Sequence, residues 1–169
     1  IPLRLVGSEM CIRDRFIAAL NAVMKHLGRA DCTVHCRNQG PESCAMDVVR
    51  YIAGRCGRPN IALIGYQPAM LEQLAKEYQV RAVDLSPANI GQERFGVLIE
   101  DGRIPEVSQD LCRRAGLILC TGSTVCNGSI VYFLPYKDKI LFYGTTLAGA
   151  APLMDLPRLC FADRYQDLP

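Results

Sequence analysis

An excess of charge of one sign is nearly absent from this chain. Its 19 Lys and Arg stand against 17 Asp and Glu, a formal net charge of +2 over 169 residues, and the basic residues are scattered. That balance excludes a nucleic-acid surface or an electrostatic membrane anchor. No apolar run approaches the roughly 18 residues that span a bilayer, and no basic segment leads into a hydrophobic signal core. The expectation is a cytoplasmic protein with neither nucleic-acid nor membrane partners. Histidine is scarce: besides His35 there is only His26, which falls on a helix. No serine–histidine–acid arrangement is therefore readable, and no catalytic residue is assigned. The three-glycine dinucleotide fingerprint is also missing, because Gly65-Tyr66-Gln67-Pro68 carries a single glycine; no dinucleotide cofactor is expected. Neither a repeat nor a low-complexity tract appears.

Half the positions are hydrophobic and 21% are charged, which suits one globular domain or one and a fraction. Cysteine is abundant, at nine residues. These thiols sit inside helix-like and strand-like runs rather than in a short, loop-rich scaffold, so most are expected to be reduced. Cys56, Cys112 and Cys120 read as small core residues. So many thiols suggest a reducing or anaerobic host.

Leu5 to Arg15 looks like a translated sequencing adapter, with a native N-terminal arm as the alternative. Residues 1–15 are accordingly set aside as a leader, and the chain is read as an N-terminally truncated metagenomic fragment. Residues 16–57 form the remnant of an N-terminal part, and 58–169 form a Rossmann-like domain. In the remnant, Phe16, Leu20, Val23, Met24 and Leu27 share a helical stripe that Gly28 stops, and Pro41 opens a helix through Arg55 that Gly57 closes.

From Asn60 the rhythm becomes strand, loop, helix, strand, the pattern of parallel βαβ units. Ile61 to Gly65 is a strand, followed by a helix with Met70, Leu71, Leu74 and Tyr78 inward. Val80 to Leu85 is the next strand and ends near Asp84. Phe95 to Glu100 reads as a short edge strand, Asp101-Gly102 as a turn, and Val107 to Ala115 as a helix. Leu117 to Cys120 and Ile140 to Tyr143 are strands running into glycine- and hydroxyl-rich loops. The fold class is α/β, a three-layer sandwich with a mostly parallel sheet.

The C-terminal edge of such a sheet is where ligands bind. The loops expected to converge there carry Gly65, Tyr66, Gln67, Asp84 and Asn89; Thr121, Gly122, Ser123, Thr124, Asn127 and Gly128; and Gly144, Thr145 and Thr146. Glycines let backbone approach a ligand, and the hydroxyls and amides offer neutral hydrogen bonds. A helix starting near Asn127 would present free N–H groups to an anion. The competing reading is that these residues cap helices and shape turns. Asp84 also stands where nucleotide-binding folds hold a ribose, which keeps an enzyme using S-adenosylmethionine or a similar cosubstrate as the alternative function. Cys126, close to a helix start, is a conceivable nucleophile.

His35-Cys36 and Cys44 bracket a polar turn, and Cys160 lies near the C-terminal end. Thiolates with an imidazole suit a soft transition metal, although the spacing is no zinc-finger pattern. His35, Cys36, Cys44 and Cys160 are the candidate ligands, with Cys32 and Cys36 as another pair.

Several motifs taken in order are specific: Asn21-Ala22-Val23, Thr33-Val34-His35-Cys36, Asn60 to Pro68, Asp84 to Gly91, Thr121 to Ser129 and Phe142 to Ala151. Through them the chain resembles the heavy-metal chelation domain family, from about Phe16 to Arg164. The resemblance implies a Rossmann-like C-terminal part joined to an enolase-like N-terminal part, most of it missing here. It implies metal chelation or metal-cofactor handling in a cleft between the two, with a link to anaerobic corrinoid metabolism. Ser129 replaces an expected threonine, and Phe161 an expected proline. Metal identity is unspecified, and homo-oligomer formation is left open.

Overall fold

The computed structural model of the chain describes residues 3–165. Two helices come first, α1 (Leu3–His26) and α2 (Gly40–Arg55). They are followed by β1 (Ile61–Ile64), α3 (Pro68–Glu77), β2 (Val80–Asp84), β3 (Glu93–Arg94), β4 (Val97–Asp101) and α4 (Pro105–Arg114). The chain continues through β5 (Leu117–Thr121), α5 (Thr124–Asn127), two 3-10 turns over Ser129–Lys139, β6 (Ile140–Tyr143), α6 (Ala150–Leu153) and β7 (Arg158–Leu159). All four residues of β1 and of β6 are buried. Strands with both faces covered belong in a parallel sheet between helices.

The sheet has seven strands in the order β3-β4-β2-β1-β5-β6-β7, parallel except for the β3–β4 pair. Without the hairpin strand β3, this is the doubly wound Rossmann order, which reverses direction between β1 and β5. Side chains alternate across it. Ile61 and Leu63 pack with Ala45, Val48 and Ile52 of α2 and with Met70, Leu71 and Leu74 of α3. Ala62 and Ile64 face Leu111 and Cys112 of α4, together with Ile130, Phe133 and Leu147. The three-layer α/β sandwich expected from the sequence is the architecture found. The α2 helix shares its core with the strands, so packing continues across the Gly57–Pro59 turn.

Several elements differ from expectation. The Phe95–Glu100 segment splits into a hairpin: Phe95 and Gly96 both take positive φ (54° and 74°), which a two-residue turn requires. Glu93–Arg94 becomes the edge, and β4 lies inside it. Helix α4 begins two residues early, at Pro105, which suits the first turn because proline lacks only an N–H that would be unpaired there. Another is β7, whose two residues give no periodic signal.

Helix α1 runs unbroken from Leu3 through the residues read as a leader. Its buried face is also turned from the expected stripe. Ile17 and Met24 are buried and Leu20 packs on the core, whereas Phe16, Val23 and Leu27 are 64%, 55% and 59% exposed. The cause is polar. The Asn21 amide donates to the carbonyls of Thr145 (3.3 Å) and Thr146 (3.1 Å), and its oxygen accepts from Gly149 N (2.7 Å). That anchor sets the helix rotation. Gly149 is required because a Cβ would stand 2.9 Å from Asn21 Oδ1.

Cys112 and Cys120 are buried as expected of core thiols, but Cys56 is exposed just past the end of α2. All nine cysteines are free thiols. Among the described residues no helix is long and apolar enough to cross a membrane.

Candidate functional site

The crevice between β1 and β5 is built on a close approach. Gly65 ends β1 at φ +87°, and a Cβ there would lie 2.5 Å from Thr121 Cγ2; only glycine fits. From the next strand over, the Tyr143 hydroxyl donates to Gly65 O (2.7 Å), and burial raises the phenol pKa. At the end of β2, Asp84 receives the amides of Tyr66 (2.7 Å, to Oδ2) and Ser86 (2.7 Å, to Oδ1), with Asn89 Nδ2 at 3.3 Å. This carboxylate staples the β1 and β2 loops together. Gln67 caps α3 by accepting from Met70 N.

The β5 loop is likewise turned inward on itself. Thr124 Oγ1 donates to Thr121 O (2.8 Å), Asn127 Oδ1 accepts from Ser129 N (2.9 Å), and Thr121 Oγ1 lies 3.3 Å from Ser123 Oγ. The short α5 ends at Asn127 instead of starting there. The amides of Val125, Cys126 and Asn127 bond within the loop. No anion-binding helix start exists at Asn127, contrary to expectation, because Gly128 (φ +78°) terminates α5 rather than opening a longer helix. Cys126 is no activated thiol either: burial, then the neighbouring Asp14, pushes its pKa up to about 11.

Thiol-bearing segments are brought to this edge by Arg158, whose side chain is 8% exposed. Its guanidinium donates to Gly144 O (2.8 Å) and Cys32 O (2.8 Å), and pairs with Asp31 Oδ1 (3.1 Å). Cys32 is committed to structure. Its N–H donates to Asp163 Oδ2 (2.8 Å), its thiol donates to Cys160 O (3.3 Å), and burial raises its pKa to about 11. Asp47 of α2 fixes the other side, accepting from Tyr165 Oη (2.5 Å) and Arg164 Nη1 (3.1 Å).

Cys36, Cys44 and Cys160 meet between these anchors. Hydrogen bonding with the Cys160 thiol lowers the pKa of Cys44, assisted by the Phe161 amide and opposed by burial. The same contact with Cys44, then burial, raises that of Cys160, against the Ala162 amide and the Arg158 charge. Burial raises Cys36, with the Cys160 charge adding to it and the Cys44 hydrogen bond opposing it. Cys44 and Cys160 are thus coupled through one thiol–thiol hydrogen bond. His35 Nε2 is taken by Thr145 Oγ1 at 2.9 Å. Among the described residues no three His, Cys, Asp or Glu side chains are arranged to hold a metal ion. The site is a coupled thiol pair with a third thiol beside it, not a closed cage.

A cavity of about 670 Å³ covers this edge, within the range of small-molecule sites. It is lined by all four candidate ligands (His35, Cys36, Cys44 and Cys160) and by Gly65, Tyr66, Gln67, Asp84, Thr121, Ser123, Thr124, Asn127, Gly144, Thr145 and Thr146. Asn89, Gly122 and Gly128 do not line it. Asn89 supports Asp84, and Gly122 is a packing glycine whose Cβ would lie 2.9 Å from Leu147 N. Sequence reading missed the apolar part of the lining, Tyr132, Phe133, Tyr136, Leu85 and Pro105.

A family model described as "Putative heavy-metal chelation" matches residues 47–153. No curated protein and no solved structure matches the chain.

Proposed function

Because the chain belongs to the family described as "Putative heavy-metal chelation", we propose that it binds a soft metal, alone or within a small molecule, in the cleft at the C-terminal edge of its sheet. Cys44 and Cys160 are the primary thiolate donors, Cys36 is the third, and His35 joins once it leaves Thr145. The observation that carries this reading is that His35, Cys36, Cys44 and Cys160 line one cavity. Thiolates favour soft ions. Hydrogen bonds from the Phe161 and Ala162 amides favour the thiolates of Cys44 and Cys160 that a metal needs, against the burial that opposes them.

Asp84, Tyr66, Thr121 and Ser123 form the polar wall that receives the rest of the ligand. The ligand is a small molecule or ion, and the protein is cytoplasmic.

An enzyme using S-adenosylmethionine is the second reading, supported by Asp84 closing β2 at the cavity. Against it, both carboxylate oxygens already receive backbone amides. Metal uptake by the reduced chain, compared among Cys44→Ser, Cys160→Ser and the exposed-site control Cys56→Ser, tests the first reading. Saturable S-adenosylmethionine binding without metal would favour the second.

A further inference from the structure

The cavity is far longer than an ion. It reaches from Cys160, just past β7, to Arg103, just past β4. Those strands are five neighbours apart in the sheet, which at ordinary strand spacing is about 24 Å. Metal–thiolate bonds of about 2.3 Å fill only one end of that length.

The other end has a different chemistry. Tyr132 and Leu85 expose 60% and 45% of their surface and Phe133 is buried; Tyr136, Pro105, Ser108 and Gln109 also line the cavity. The one cation there, Arg103, is held by a two-point pair with Asp101 (2.9 and 2.7 Å). Between the two ends, the Asp84 carboxylate accepts amides on both oxygens. Neither a phosphate chain nor a free carboxylate finds an uncommitted opposite charge along this route. Flat apolar side chains with no unpaired charge suit the face of an uncharged ring.

We propose that this second lobe receives the planar, uncharged ring system of an organic ligand, so that the cleft takes an extended molecule with its metal-binding group at the thiol end. The metal-binding part of this statement rests on the function proposed above; the ring lobe stands on its own residues. The ring comes either from a nucleoside or from a heteroaromatic chelator, and the two share the chemistry of a neutral flat face.

The test is equilibrium dialysis of the full reduced chain against two metal-free probes, adenosine and 1,7-phenanthroline, whose nitrogens are too far apart to chelate. One probe is expected to bind saturably, one per chain. Its affinity is expected to fall about tenfold in Tyr132→Ala and in Leu85→Glu, the cost of one aromatic or apolar contact. Both positions are exposed, so the variants are expected to keep their melting temperature. Binding in the exposed-site control Cys56→Ser is expected to be unchanged. Ring binding that survives while the chain takes up no metal would uphold the lobe and overturn the proposed function. Failure of both probes to saturate, or binding indifferent to both lobe variants, would overturn the lobe whatever the metal result.

Discussion

His35 Nε2 lies 2.9 Å from Oγ1 of Thr145, a contact between residues 110 positions apart. It ties the segment that carries Cys36 to the loop after β6. With Asn21 and Arg158 bonded to the same loop, three connections converge on Gly144–Thr146.

Replacing Thr145 with Val keeps the shape of this buried residue and removes the hydroxyl. The expected loss is about 1 kcal/mol, a fall in melting temperature of roughly 2–4 °C for a chain of this size. Thermal unfolding checks it. An unchanged melting temperature would mean that the contact holds nothing.

Gly65→Ala is expected to cost more, because a methyl at φ +87° would also stand 2.5 Å from Thr121 Cγ2. A loss of roughly 2–3 kcal/mol follows from strain and overpacking. Thr121→Ser removes that methyl, so Gly65→Ala should cost less in the Thr121→Ser background. A double-mutant cycle by urea unfolding reads the coupling. Equal costs in both backgrounds would leave the dihedral angle as the sole cause.

Arg158→Lys retains the charge and loses the fork that reaches Gly144, Asp31 and Cys32. About 2 kcal/mol is expected from broken charge-assisted hydrogen bonds. Hydrogen exchange should accelerate across residues 31–36, the segment that Arg158 pins, and leave β1 protected.

The Asp47 cluster carries a pH signature. Hydrogen bonds from Tyr165 first, and from Arg50 and Arg164, hold the Asp47 pKa below the ordinary carboxylate value. A depressed folded pKa contributes stability above the unfolded value of about 3.9 and loses it as pH falls through the folded value. Asp47→Asn should therefore be less stable than the parent chain at pH 7, with the gap narrowing below about pH 4. A gap independent of pH would show that the carboxylate charge contributes nothing.

The strands of the sheet were legible in the sequence because each is a short apolar run ending at glycine or a polar turn. Two-residue strands carry no period, so β3 and β7 were not. The rotation of α1 was hidden because one amide, Asn21, outweighs the hydrophobic stripe of Phe16, Val23 and Leu27. The thiols of Cys36, Cys44 and Cys160 could be singled out by residue type, but the clamps that bring them together, Arg158 and Asp47, look like ordinary surface charges in a sequence. The aromatic lobe was missed because Val131 to Tyr136 is a mixed apolar stretch folded into 3-10 turns, with neither helical nor strand spacing to show which side chains face the cavity.

The most direct test is titration of the reduced chain with cadmium(II) under anaerobic conditions, followed by thiolate-to-metal charge-transfer absorption. One tightly held cadmium ion per chain is expected, with the band lost or strongly reduced in Cys44→Ser and in Cys160→Ser and retained in Cys56→Ser. No saturable band, or one that survives in both Cys44→Ser and Cys160→Ser, would contradict it.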